Sequence, residues 1–304
     1  MMRRAAILAV AALLSGSPAF ATLSPASDQA FFLQLAHIQR FAQAPARFSL
    51  TPGKKFLDKA AVEAKVLPLL PALGVPPAFA RAAIGDPKTD LIPVIIRLLS
   101  APAESLPYSR YRKLFITPGN IAAGAQFYRD HKDLLAQIQA RYGVDPLVLV
   151  SLVGVETRWG TYTGGFHVIS ALFTIAAAFP SLSDWACGEI AQYLEICWKQ
   201  SVDPQSVLGS YAGAFGYYQF MPSSYNAYAV DFDGDGKKSW DEWPDALASV
   251  ANYLTAHGYK PGPDESKGSP VWNALYSYNH SDNYVRVILE MRGDIKAKLG
   301  PAAP

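Results

Sequence analysis

The segment Pro146–Val155, PLVLVSLVGV, constrains this chain more than any other. Asp145 ahead of Pro146 reads as an N-cap followed by proline at the first helical position. The helix it opens, Leu147–Arg158, is apolar on nearly all sides over its first half, and such a helix is stable only when covered all round. Gly160 stands where the chain should leave it. Whatever the fold, it is built around this helix.

The remaining patterning supplies helices to cover it. Asp28–Gln43 is an amphipathic run with apolar residues at 31, 32, 35, 38 and 41. Proline punctuation cuts Thr51–Pro107 into short helices. The spacing predicts one longer helix over Pro118–Tyr142, then helices over Val168–Ala178, Ser183–Gln200, Pro244–His257, Pro270–Tyr276 and Ser281–Leu299. Leu208–Ser224 is rich in glycine, aromatic and small polar residues without clean periodicity. No run of alternating residues reads as a strand, so the predicted fold class is mainly α. A domain boundary is expected near Pro102–Tyr108, separating an N-terminal helical region (22–107) from residues 108–304.

Composition narrows the function. Only 17% of the 304 residues are charged and the net charge is +2. That balance argues against disordered tails and against a nucleic-acid partner, which calls for a basic face. Five scattered histidines and two cysteines exclude most zinc-site spacings. Cys187 and Cys197 fall on one predicted helix, about 15 Å apart along its axis. That is too far to bridge, so two free, partly buried thiols are expected.

The first 21 residues read as an export signal. Arg3 and Arg4 precede the apolar run Ala5–Leu14, and Ala19-Phe20-Ala21 forms a small-residue cleavage site, so cleavage is expected after Ala21. Ten apolar residues fall short of the ~20 a spanning helix needs. No later segment reaches that length, so no transmembrane anchor is expected in the mature chain. Loss of Arg3 and Arg4 takes the 27 basic residues to 25, equal to the 25 acidic ones.

Glu156 lies in the last turn of the apolar helix. Desolvation and the negative end of the helix dipole both disfavour a charged carboxylate there. A carboxyl that keeps its proton is what a general acid needs. A structural pair with Arg158 is the plainer alternative on position alone.

Several segments, in order, carry a family resemblance. Glu156-Thr157-Arg158-Trp159-Gly160 resembles the catalytic-helix signature of the lytic murein transglycosylase B family. Gly209–Tyr225 (GSYAGAFGYYQFMPSSY) resembles its second signature, with Phe215 where methionine is common. The acidic loop after it and Tyr278-Asn279-His280-Ser281 resemble the third and fourth, and Tyr111-Arg112 with Phe115 resembles an upstream pattern. The likeness covers roughly residues 28–298. It implies a lysozyme-like catalytic domain with additional helical segments, periplasmic location and peptidoglycan glycan strands as the partner. Glu156 then falls on the catalytic acid/base, and Tyr111, Ser210, Gln219, Tyr278 and Asn279 on saccharide-contacting positions. The reaction implied cleaves the bond from N-acetylmuramic acid to N-acetylglucosamine and leaves a 1,6-anhydro sugar, with no cofactor for catalysis.

That chemistry suits one carboxyl group. An ordinary glycosidase uses two, and Asp184, Glu189 and Glu195 read as solvent-facing helix charges. A hydrolytic muramidase and a non-catalytic peptidoglycan-binding scaffold are the alternatives.

The loop 231–242, DFDGDGKKSWDE, fits a twelve-residue, EF-hand-like calcium loop. Asp231, Asp233 and Asp235 take positions 1, 3 and 5, Gly236 position 6, and Glu242 position 12. Lys237 would offer its carbonyl and Ser239 its side chain or a water. An empty acidic turn is the alternative. Lys238 stands where an apolar residue usually pairs with a second hand, so a lone, structural Ca2+ site is expected.

Overall fold

The computed structural model describes residues 51–100 and 107–300. The export signal, the amphipathic run Asp28–Gln43 and most of the expected boundary near Pro102–Tyr108 lie outside them. The regular structure of the described chain is almost entirely helical. In order it forms α1 (Lys59–Val66), α2 (Pro77–Gly85), α3 (Pro93–Ser100), α4 (Tyr108–Tyr111), α5 (Pro118–Asp130), α6 (Lys132–Tyr142) and α7 (Pro146–Thr157). There follow α8 (Val168–Ala178), α9 (Ser183–Gln200), α10 (Pro222–Tyr228), α11 (Trp243–Ala256), α12 (Pro270–Tyr278) and α13 (Asp282–Leu299).

A repeated local device starts these helices. Thr117, Asp145 and Ser269 each accept a backbone N–H of the first turn, and each is followed by proline. The cap satisfies an orphan donor and proline has none to leave. Asp58 and Ser281 cap α1 and α13 the same way without proline.

Every residue of α7 is buried. Its cover is α5, α6, α11 and α13. Helix α13 runs antiparallel to it: Tyr284 near the start of α13 reaches Glu156, and Arg292 farther along pairs with Asp145 at 2.7 Å. A second layer is formed by α8 on α9, with α1 and α3 packed against that pair. One continuous apolar cluster runs from Val62 to Ile295. Buried polar contacts tie the first layer of chain to it: Gln205 Nε2 donates to Thr89 Oγ1 (2.8 Å), and Ile92 N–H donates to Thr174 Oγ1 (3.0 Å).

Two sequence expectations need correcting. The expected helix Pro118–Tyr142 breaks at His131 (φ −116°, ψ 19°). Its ring is drawn instead into an aromatic group with Phe127 and Trp243. The glycine-rich stretch also contributes a short antiparallel pairing of β1 (Phe166–His167) with β2 (Leu208–Gly209).

Cys187 and Cys197 are buried and free on the unbroken α9. Burial pushes their thiols up to about 11 and about 12, so both stay protonated. Among the described residues no single helix is long and apolar enough to cross a membrane.

Candidate active site

The site grows from the way α7 ends. Arg158 and Trp159 both take left-handed backbone (φ 50° and 54°), and their N–H groups return to Gly154 and Val153. This reversal folds the Trp159 ring back along the helix, where its indole N–H donates to the Val150 carbonyl at 2.9 Å. Space for the ring requires Gly154. A Cβ there would lie 2.5 Å from the ring, and one on Gly124 of α5 would lie 2.8 Å from it. Thr157 then ties the helix end to the next layer, donating to the carbonyls of Val153 (3.2 Å) and Tyr217 (3.0 Å) and accepting from Gly160 N–H (3.0 Å).

Glu156, only 3% exposed, is held one residue before this knot. Its Oε1 accepts the Tyr284 hydroxyl at 2.6 Å. The Tyr284 ring lies nearly parallel to that of Tyr278, with centroids 6.4 Å apart. Tyr278 donates in turn to the Tyr218 carbonyl at 2.5 Å. Tyr111 approaches from α4. Burial, and then the negative charge of Glu156, holds its phenol well above the ordinary tyrosine value. It therefore stays protonated, and its buried hydroxyl has no hydrogen-bond partner among the described residues. Such an orphan donor costs free energy unless something accepts from it.

The glycine-aromatic segment forms a compact set of bridges, Gly209 with Phe215 and Phe215 with Phe220. Ser210 is buried, and its Oγ accepts from Ala212 N–H and Ala214 N–H at 3.2 and 3.1 Å. Gln219 has left-handed backbone (φ 52°). Its Nε2 donates to the carbonyls of Thr163 (2.8 Å) and Gly216 (2.9 Å). Asn279, 1% exposed, ends α12 directly after Tyr278. Tyr284 and Tyr111 thus face the Glu156 carboxyl, and Tyr278 lies behind Tyr284. Gln219 joins them through the loop that Thr157 grips.

Sequence reading missed Tyr284, whose signal was faint. It is the third residue after the capping Ser281, which fixes where the ring projects. The solvent-facing assignment of Glu189 and Glu195 is also wrong, because α10 covers that face of α9. Glu189 accepts from Ser223 N–H (3.0 Å) and Ser223 Oγ–H (2.7 Å), and Glu195 accepts from Asn226 and Lys199. Only Asp184 of the three is exposed.

In the acidic loop, carboxylate oxygens of Asp231, Asp233 and Asp245 lie within 4.8 Å of one another. Asp245 comes from the first turn of α11, beyond the loop's expected end. It accepts from Phe232 N–H and Ser239 N–H, both at 2.7 Å. Burial, with Asp233 and Asp231 nearby, raises its carboxyl above the usual range. Three converging carboxylates, one of them buried, form a donor set suited to a hard divalent cation. Asp235 and the exposed Glu242 lie outside this group. The loop is joined to the glycine-aromatic segment by a Tyr217 N–H to Trp240 carbonyl bond (2.8 Å) and by Tyr225, which donates to the Lys238 carbonyl.

Comparison with known proteins places the fold. Residues 63–271 match the family described as Transglycosylase SLT domain. Membrane-bound lytic murein transglycosylase B of Escherichia coli is 46% identical over 154 residues, which is 50% of this chain and 42% of that protein, so the match spans less than half of the relative. Among solved structures, Escherichia coli SLT35 in complex with calcium superposes with a TM-score of 0.70 at 27% identity. The superposition covers 81% of this chain and 96% of that one. Soluble lytic transglycosylase SltB1 of Pseudomonas aeruginosa gives 0.70 at 29% identity, covering 79% and 99%. With more than half of its length matched and the helical frame shared, this chain belongs to the transglycosylase SLT domain family.

Proposed function

We propose that the protein is a peptidoglycan lytic transglycosylase with Glu156 as its single acid/base. The observation that carries this reading is the buried Glu156 carboxyl at the end of an apolar helix, facing Tyr284 and Tyr111. Each other buried carboxylate among the described residues is engaged elsewhere: Glu189 and Glu195 with α10, Asp245 with the acidic loop. One carboxyl group supports an intramolecular displacement better than a two-carboxylate hydrolysis.

In this mechanism Glu156 gives its proton to the oxygen linking N-acetylmuramic acid to N-acetylglucosamine. The C1–O bond breaks, and the substrate's own N-acetyl carbonyl stabilises the positive charge at C1. Glu156, now a carboxylate, takes the proton of the C6 hydroxyl as O6 bonds to C1. The 1,6-anhydro ring forms and Glu156 is again protonated. A nucleophile within the same sugar has the advantage of being already positioned. The Tyr284 hydroxyl orients the carboxyl throughout, and Tyr111, Ser210, Gln219, Tyr278 and Asn279 contact the sugars. Asp231, Asp233 and Asp245 hold a Ca2+ that stiffens the loop behind Tyr217; the calcium of SLT35 supports this. The chain is exported to the periplasm and its signal is cleaved behind Ala21, and the helices between residues 59 and 100 pack on a catalytic region that begins at residue 108.

The test is mass spectrometry of muropeptides released from purified sacculi, with Glu156→Gln alongside. The expected products end in 1,6-anhydro-N-acetylmuramic acid and vanish in the variant. Reducing ends one water heavier would mean a hydrolase. Binding without any product would mean a scaffold.

A further inference from the structure

We propose that Glu189 is a positioning residue for the glycan-contacting loop: its buried carboxylate grips Ser223 at the start of α10 and thereby holds Gln219 in place. This rests on the reading above that Gln219 contacts the sugar.

Glu189 is 5% exposed, and among the described residues it has no ion-pair partner. Both of its oxygens are spent on one residue, Ser223. Stability does not explain such a group. A buried carboxylate bears a desolvation cost, and an apolar side chain of similar volume is often neutral or better. Burial does raise its carboxyl above the usual range, with the two Ser223 contacts opposing that shift. What the carboxylate supplies is a fixed, two-point attachment.

The segment it attaches needs one. Gln219 stands four residues before Ser223, in left-handed backbone that is sterically unfavourable for a residue with a Cβ. Upstream it is held by Gly216, whose carbonyl accepts from both its N–H and its Nε2. Downstream, the Phe220 carbonyl accepts from Phe215 N–H at 3.0 Å, Pro222 stiffens the link, and the next anchor is Ser223 on Glu189. Helix α10 has only seven residues. A helix that short does not hold itself. Its second half is tied to the acidic loop and α11 through Tyr225 and Tyr228, whereas α9 holds its start through Glu189, and Gln192 and Glu195 of α9 accept from Asn226.

The experiment is a double-mutant cycle between Glu189→Leu and Gln219→Ala. It is read as KM and kcat on sacculi, and as Kd for a peptide-free tetrasaccharide of the glycan in a Glu156→Gln background. Glu189→Leu is expected to raise KM and Kd about tenfold with kcat within about twofold, and to add nothing once Gln219 is alanine. Glu189→Gln, which keeps an oxygen for Ser223 N–H, is expected to stay within about threefold of wild type. Additive effects, unchanged KM, or a loss that falls on kcat alone would overturn the proposal. If Glu189→Leu does not fold, Ser223→Ala tests the same contact, with a KM increase of about threefold expected and an unchanged KM refuting it. A wild type that binds glycan but releases no anhydro product sinks the functional reading alone, since the Kd cycle still decides on Glu189. Wild-type activity with an additive cycle sinks Glu189 alone.

Discussion

Tyr284 and Glu156 stand 128 residues apart in sequence and 2.6 Å apart in space, hydroxyl to carboxyl oxygen. The contact joins the N-terminal turn of α13 to the C-terminal turn of α7, and it gives Glu156 one defined orientation. Tyr284→Phe deletes the donor and keeps the ring against Tyr278. The expected result is a loss of kcat on the order of tenfold to a hundredfold with little change in KM. A donor to a carboxylate favours its ionised form. The limb of the pH–rate profile set by Glu156 should therefore move to higher pH in the variant. An unmoved limb with wild-type kcat would remove Tyr284 from the mechanism.

Gly154→Ala tests the end of α7. Alanine improves helix propensity by about 1 kcal/mol. The new methyl would lie 2.5 Å from the Trp159 ring, which the Val150 carbonyl holds from the other side. Overpacking of this kind costs about 1–3 kcal/mol and outweighs the gain. Thermal unfolding should show a lower Tm; an equal or higher one would mean that Trp159 has room to move.

Calcium should stabilise the fold through Asp231, Asp233 and Asp245. At a hundredfold excess over Kd, a ligand of the native state contributes about 2.7 kcal/mol, which is ~4 °C for a chain of this size. Melting in millimolar calcium against chelator measures it. Asp245→Asn should abolish the gain, whereas Glu242→Gln should leave most of it. The reverse order would restore Glu242 as the loop's last ligand.

Glu290 provides a pH-dependent contribution. Arg112, with help from Tyr108, holds its carboxyl below the usual carboxylate range. A folded value below the unfolded one gives stability that is present above the unfolded value and lost as pH falls through the folded one. Partly exposed pairs of this kind contribute up to about 1 kcal/mol. The Tm gap between wild type and Glu290→Gln should be about 1–2 °C at pH 7 and close as the solution is acidified through the carboxylate range. A gap that persists at pH 2 would locate the effect in packing.

What sequence could reveal depended on where each residue's partners lie. Helices α8 and α9 were legible to the residue, because apolar periodicity and flanking turns are local. The end of α7 was legible for the same reason: Asp145-Pro146 and Gly160 bracket it. The single helix expected over Pro118–Tyr142 failed at His131, whose partner Trp243 comes from a distant helix. Glu189 and Glu195 look like surface charges on a helical wheel. Only the packing of α10, some thirty residues downstream, converts that surface into an interior. Asp245 was missed because the loop's spacing rule stops three residues earlier. Tyr284 was one tyrosine among sixteen.

The antiparallel docking of α13 along α7 has a consequence for biosynthesis. Glu156 is made 122 residues before Tyr278 and 128 before Tyr284. A nascent or prematurely terminated polypeptide therefore carries the Glu156 carboxyl without the Tyr284 hydroxyl that orients it. On the proposed reading of Glu156, glycan cleavage arrives only once α13 has docked along α7.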